Sequence, residues 1–402
     1  GAACVALALA VTHVFRLPDV ARDAGSGAVV DGFRASTSTT RKLLEPFFGP
    51  PLYGGSVGGL RTFVAGSAFL AVAVGAVLAW RARQGHRARF ALYLAVLLPS
   101  AWVSIFCAGG ATPDRFKAKD RRGVFVDWHL HGGDPVDGRH TEERAMKRQE
   151  ARGVDWAITT CHDFRPARAA AIAHGALGTE WSGGDHPRTP APHVLVLGTS
   201  HAVDAAIAEK DALSAVRAAK AHGALVLVAH HWRSAKHVPN LPTPEAFVDA
   251  GADGFEVGNR HADAPAAEAE EVSAVARLDA LCRERGLLRV SFSDDHGVPA
   301  GSPCVTWIEG VTEDDLKREG GVAILSRLRR DADPAVRIDP ANVIPLLFDR
   351  VAPADRRSPF VAVFLWPLDY LRTLGLAQRA SWFLWLAAFW FASRRFAVQE
   401  RA

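Results

Sequence analysis

The chain has 402 residues, of which 49% are hydrophobic and 22% charged, with a formal net charge of +4. That is an ordinary globular mix, which excludes a disordered or collagen-like chain, and so small a charge gives no reason to expect nucleic acid as a partner. Five cysteines (Cys4, Cys107, Cys161, Cys282, Cys304) show no CxxC spacing, which excludes a disulfide framework and a thiolate zinc site.

The ends are apolar and nearly free of acids, while the middle is rich in Asp, Glu, Arg and His. Gly1 in place of Met reads as a processed product or a fragment. Residues 1–15 are apolar apart from His13 and read as the remnant of a span; a polar loop follows at 16–61. Phe63 to Trp80 is 18 residues without a charge and Phe90 to Gly110 is 21. Each is long enough to cross a hydrocarbon core of about 30 Å at a rise of about 1.5 Å per residue. Between them Arg81, Arg83, Arg87 and Arg89 occur with no acid, which the positive-inside rule places in the cytoplasm. Pro359 to Tyr370 reads as interfacial, and Ser381 to Ser393 as a short C-terminal span followed by Arg394 and Arg395. The expected organisation is a membrane region over 1–110 with two or three transmembrane helices, a catalytic domain over 111–358, and an interfacial segment with a last span over 359–402. The expected localisation is therefore a multi-pass membrane protein, with the membrane as a partner and the central domain extracytoplasmic.

From residue 123 strand and helix alternate. Strands are expected at 124–128, 154–160, 194–197, 224–229, 254–257 and 288–293. Helices are expected at 141–152, capped by Thr141, and at 167–174, 209–222 and 266–285. Such alternation predicts an α/β fold with a parallel sheet, open or closed into a barrel. No GxGxxG or P-loop follows any strand, which leaves a nucleotide-binding fold without support.

Fourteen of the sixteen histidines lie between residues 129 and 296, and they track the strands. His129 and His131, at i and i+2 on an extended segment, point the same way and can reach one metal. Asp137-Gly138 is a turn that can return a carboxylate. His162 ends the second strand, Glu180 follows the second helix, His193 opens the third strand, and His230 and His231 end the next. Ser293-Asp294-Asp295-His296 closes the series. Imidazole with carboxylate suits zinc, manganese or iron. The donors outnumber the needs of one tetrahedral ion, so two or three divalent ions are expected. A carboxylate such as Glu180 can bridge two of them, and two ions can share a hydroxide and clamp phosphoryl oxygens.

In this order the motifs resemble the PHP (polymerase and histidinol phosphatase) family. They are His129/His131, Asp137-Gly138, Thr160-Cys161-His162, Gly178-Thr179-Glu180, His193 to Gly198, Ala229-His230 and Ser293 to His296. Asp253 to Asn259 is similar to a further family segment that is not usually a ligand. The resemblance covers about 123–300. It implies a distorted (β/α)7 barrel, here flanked by N-terminal and C-terminal transmembrane helices, with a trinuclear site. One ion would take His129, His131, Glu180 and Asp294. A second would share Glu180 and add His193 and His230. A third would take Asp137, His162 and His296. His201, three residues past Gly198, is the alternative to His193. Cys161 departs from the family pattern, which usually has Asp there.

The resemblance implies a metal-dependent hydrolase of phosphate esters, membrane-anchored here, in which a metal-bridged hydroxide attacks phosphorus. Glu180, Asp294 and His296 are the expected catalytic residues. Arg165, Arg168, Arg233, Lys236 and Arg260 flank strand ends and could grip a second anionic group. The substrate would be a small-molecule or cell-envelope phosphate ester. Metal-dependent hydrolysis of an amide or related bond is one alternative. A non-catalytic membrane sensor or assembly subunit with a structural metal site is the other.

Overall fold

The structure is a computed structural model. It describes residues 2–14, 20–50, 114–132, 141–162, 177–182, 192–198, 202–208, 210–235, 238, 240–259, 269–296, 304–349, 368 and 370–399.

Thirteen strands are described: β1 (Val20–Asp23), β2 (Val29–Val30), β3 (Phe33–Ser36), β4 (Arg115–Ala118), β5 (Gly123–Asp127), β6 (Trp156–Ala157), β7 (Gly178–Trp181), β8 (His193–Leu197), β9 (Leu225–Ala229), β10 (Gly254–Gly258), β11 (Leu288–Ser291), β12 (Cys304–Glu309) and β13 (Val343–Asp349). They form a six-stranded sheet in the order β2-β1-β13-β12-β5-β6, a five-stranded sheet in the order β11-β10-β9-β8-β7, and the pair β3-β4. Among the described residues the strand pairing closes no barrel. Two isolated parallel bridges, Leu130 with Asp295 and His162 with Glu180, connect the two large sheets.

The expected parallel sheet is mixed instead. β9, β10 and β11 run parallel, as do β5 and β6. β8 is antiparallel to both β7 and β9, and β12 is antiparallel to β5 and β13. β7 has only four residues, all buried, so its sequence carries no readable alternation. Residues 20–36, read from the sequence as polar loop, contribute three strands, and β1 pairs with β13.

Alternation along the strands divides the core into two faces. Leu195 and Leu197 of β8 and Leu225, Leu227 and Ala229 of β9 share one cluster with Val126, Trp156, Val290 and Phe292. Val194, Val196, Val226 and Val228, on the opposite faces, pack beneath helices with Val203, Val216, Phe247, Leu278 and Cys282. β9, buried at every position, therefore reads as an unbroken apolar run. The helices start where capping chemistry directs. Thr141 accepts from the Arg144 N–H ahead of Glu142–Ala151, and Asp211 accepts from the Ser214 N–H ahead of Ala212–Ala221.

The multi-pass membrane localisation is corrected by the helices themselves. Among the described residues, no helix is long and apolar enough to cross a membrane. The uncharged runs 63–80 and 90–110 lie outside the described residues, as does helix 167–174 and nearly all of the interfacial segment 359–370. The C-terminal helix, Leu376–Gln399, is longer than the expected 13-residue run, but it contains Arg379. That guanidinium is buried. It donates to the carbonyls of Leu9, Leu371 and Leu374 and to Thr12 Oγ1. Beside it Glu45 accepts from Tyr370 Oη at 3.0 Å and from Gln378 Nε2 at 2.9 Å. This helix packs by polar bonds as well as by apolar contact.

Candidate metal centre

β5 runs on past Asp127, and its extension is pinned from both sides. The Thr160 N–H donates to Leu130 O at 2.8 Å, and the His131 N–H donates to Asp295 O at 3.1 Å. Extended backbone sends Trp128 and Leu130 into the apolar cores and leaves His129 and His131 on the opposite face. Their rings lie 5.4 Å apart.

Glu180, on β7, sits at the centre. It is fully buried. Its Oε1 lies 2.6 Å from His193 Nδ1, 3.2 Å from His129 Nε2 and 3.4 Å from His230 Nε2. Its Oε2 lies 3.2 Å from His131 Nε2 and 3.2 Å from His162 Nδ1. Asp294 Oδ1 is 3.4 Å from each of His129 Nε2, His131 Nε2 and His296 Nδ1. The His131 and His296 rings stack with centroids 4.0 Å apart.

The strand directions explain how distant residues meet. His230 and Asp294 follow the C-terminal ends of β9 and β11. β8 runs the other way, so its first residue, His193, arrives at the same edge. His201, beyond the far end of β8, lies outside the described residues, and so do Asp137, Arg165, Arg168, Lys236 and Arg260. Thus the structure brings His129, His131, His162, Glu180, His193, His230, Asp294 and His296 together.

Charge is strongly coupled in this cluster. Burial favours the neutral form of Glu180, but His193, His129 and His162 outweigh it and hold the carboxyl well below its usual range. Burial likewise opposes the charge on His129, yet Glu180, Asp294 and Glu256 raise that imidazole well above its usual value. His230 is pushed down to about 4, chiefly by burial. Asp127 is pushed up to about 6 by burial, against the hydrogen bonds it accepts from Ser293.

A divalent-ion centre fits these donors. Four sets converge with their ligand atoms within 4.8 Å of one another: His129/His131/Asp294, His162/Glu180/His193, His131/His162/His296 and His129/His230/Glu256. Two donors each bonded to one ion at about 2.1 Å are separated by about 3.0–3.4 Å in octahedral or tetrahedral geometry. Most of the nitrogen–oxygen separations around Glu180 fall in that range. Glu180 Oε2 is buried without a hydrogen bond, a costly state for a polar atom unless another partner binds there.

Glu256 belongs to this cluster, and its chain segment looked unlike a ligand in the sequence. Its Oε1 lies 3.3 Å from His129 Nδ1, and its Oε2 accepts from the His230 N–H at 3.0 Å. The available signal was a carboxylate in the middle of an apolar strand, Gly254 to Gly258, buried throughout. Cys161, in the position that departs from the family pattern, is buried and donates its thiol to Gly132 O at 3.2 Å.

No protein-family model matches the chain, and no curated protein matches it. Among the solved structures that resemble it are two metal-dependent phosphoesterases by description. One is a two-domain protein from Bacteroides vulgatus containing a predicted PHP-like metal-dependent phosphoesterase. It is 16% identical, with a TM-score of 0.38, over 57% of this chain and 66% of that one. The other is a proposed metal-dependent phosphoesterase from Bifidobacterium adolescentis. It is 17% identical, with a TM-score of 0.33, over 48% of this chain and 94% of that one.

Proposed function

We propose that the chain is a metal-dependent phosphoesterase of PHP type. The observation that carries this reading is the single buried carboxylate of Glu180 standing within 3.4 Å of ring nitrogens from five histidines. His129, His131, Glu180 and Asp294 would hold one divalent ion, and Glu180, His193 and His230 a second. His162 and His296, with Asp137, would hold a third. The donor set suits zinc, manganese or iron. Ions bound there would polarise a phosphoryl oxygen and acidify water.

The chain's own residues supply orientation and a dry setting. Glu180 Oε1 faces His129, His193 and His230 and its Oε2 faces His131 and His162, so it meets members of all three sets, which favours its role as the shared ligand. His296 Nδ1 lies 3.0 Å from Asp294 O, so a proton held at Nδ1 leaves the lone pair on Nε2, as a ligand requires. His129 and His131 are fully buried, while the His193 and His296 side chains are each 21% exposed. Substrate would therefore approach on the His193 and His296 side. The substrate class is a small phosphate ester. The fold reading that accompanies this function is a distorted seven-stranded barrel from β5 to β11. Its support is the pair of bridges between the two sheets and the core that alternate residues of both share.

The test is elemental analysis of the purified protein together with turnover on phosphomonoester, phosphodiester and amide panels. The expected outcome is two or three divalent ions per chain and release of phosphate or alcohol from at least one ester class. A metal-loaded protein that cleaves only amides, or nothing, would overturn the proposal.

A further inference from the structure

β10 places no donor in the three ion sets proposed above, yet its end touches three of their members. Glu256 Oε1 faces His129 Nδ1 at 3.3 Å, and Glu256 Oε2 accepts from the His230 backbone N–H at 3.0 Å. Asn259 Nδ2 lies 3.4 Å from Glu256 Oε2 and 3.4 Å from Asp294 Oδ2. All these residues are buried.

Two of the contacted residues have unusual backbones. His230 has φ +26° and Asp294 has φ +46°, both in the left-handed region that side-chain-bearing residues seldom adopt. Such a conformation persists only where its surroundings hold it. At His230 the hold includes the bond from its own N–H to Glu256. At Asp294 it includes the Nδ1 of His296 against its carbonyl oxygen, and its side chain meets Asn259.

We infer that Glu256 and Asn259 form a positioning clamp: Glu256 keeps the proton of His129 on Nδ1 so that Nε2 faces Glu180 and Asp294, and the pair locks His230 and Asp294 in place. The inference rests on the metal-centre reading above. Glu256 acts through other residues: its Oε2 accepts from the His230 N–H and Asn259 Nδ2, and its Oε1 faces His129 Nδ1, which leaves Nε2 of that ring turned to Glu180 and Asp294. A carboxylate on the far nitrogen of a ligating imidazole fixes the ring and raises its basicity.

The test uses the full chain labelled with ¹⁵N-histidine, with His129 assigned by the signal lost in His129→Gln. In the zinc-loaded wild type His129 is expected to carry its proton on Nδ1 and the ion on Nε2; a proton on Nε2 would overturn the clamp without any variant needing to fold. Glu256→Gln puts a donor amide where two donors already point. It is expected to weaken metal binding about 10–100-fold by chelator competition, with unchanged stoichiometry and a shifted His129 tautomer signal. Asn259→Ala is expected to weaken binding as well. Wild-type affinity and tautomer in both variants would overturn the clamp while leaving the centre intact. Loss of one ion per chain in Glu256→Gln would make Glu256 a ligand and also overturn it. A wild type that binds no divalent ion would overturn the centre and the clamp together.

Discussion

Glu180 keeps its charge although it is buried, because imidazoles surround it on both oxygens. Glu180→Gln keeps the shape and removes the charge. Substitution of residues beyond the ligands costs about 10–100-fold in affinity or activity, so loss of the proposed shared ligand is expected to cost more than about 100-fold. Equilibrium dialysis and ester turnover measure it. Asp127 plays a different part beneath the centre. Its Oδ1 accepts from the Ser293 N–H at 3.1 Å and the His129 N–H at 3.4 Å. Asp127→Ala leaves buried donors unpaired and is expected to destabilise the metal-free protein by about 1–3 kcal/mol in urea unfolding. At this scale the sequence was informative where donor type and spacing coincide. His129 and His131 were readable because a period of two puts both on one face. Glu256 was not, because a carboxylate that binds a histidine and one that binds an ion look alike in a sequence. Asp137 lies outside the described residues.

Among the elements, β7 is short but determines where Glu180 stands. Its first residue, Gly178, has no space for a side chain: a Cβ there would meet Thr160 Cγ2 at 2.7 Å, Leu197 Cδ2 at 2.8 Å and Ile158 Cγ2 at 2.9 Å. Gly178→Ala is expected to cost about 1–3 kcal/mol by overpacking and to lower metal affinity by moving β7; calorimetry and chelator competition check the two effects. β1 is held by charge. Asp23 lies 2.9 Å from Arg289 Nη1, which also binds Asp279 at 2.8 Å. Burial works against the Asp23 carboxylate, but the Ser26 N–H and Arg289 outweigh it and keep its titration below the ordinary 3.8. A depressed acid stabilises the fold above its unfolded value and loses that contribution as the pH falls through its folded value. The stability gap between wild type and Asp23→Asn is therefore expected to be full above about pH 4 and to shrink with further acidification, as read by urea unfolding across a pH series. Helices with caps and long apolar strands such as β9 were legible. The direction of β8 was not, because an apolar strand reads the same from either end. Only its neighbours reveal that His193, at its start, reaches the edge where His230 and Asp294 lie.

Across the whole molecule, ions bound by residues from β5, β7, β8, β9 and β11 would cross-link both large sheets. A ligand that binds only the folded chain stabilises it by about 2.7 kcal/mol at a free concentration 100-fold above its dissociation constant. Chelation is thus expected to lower the unfolding temperature, and restored ion to recover it; a thermal scan with and without chelator checks this. The mixed α/β class was legible because segment lengths and apolar runs alternate along the chain. The C-terminal span was not, because hydropathy counts residues without asking what they touch, and Arg379 in that helix donates to four acceptors of the protein itself. That arrangement has a consequence for the helix itself. Successive helical residues are about 100° apart around the axis, so a slip of one position would swing the guanidinium away from Leu9 O and Thr12 Oγ1 and break those bonds. Apolar contacts tolerate such rotation, but a five-donor fork with fixed acceptors does not. Arg379 therefore acts as a key that admits one rotational setting of the helix, and Arg379→Met should preserve its helicity while letting it turn.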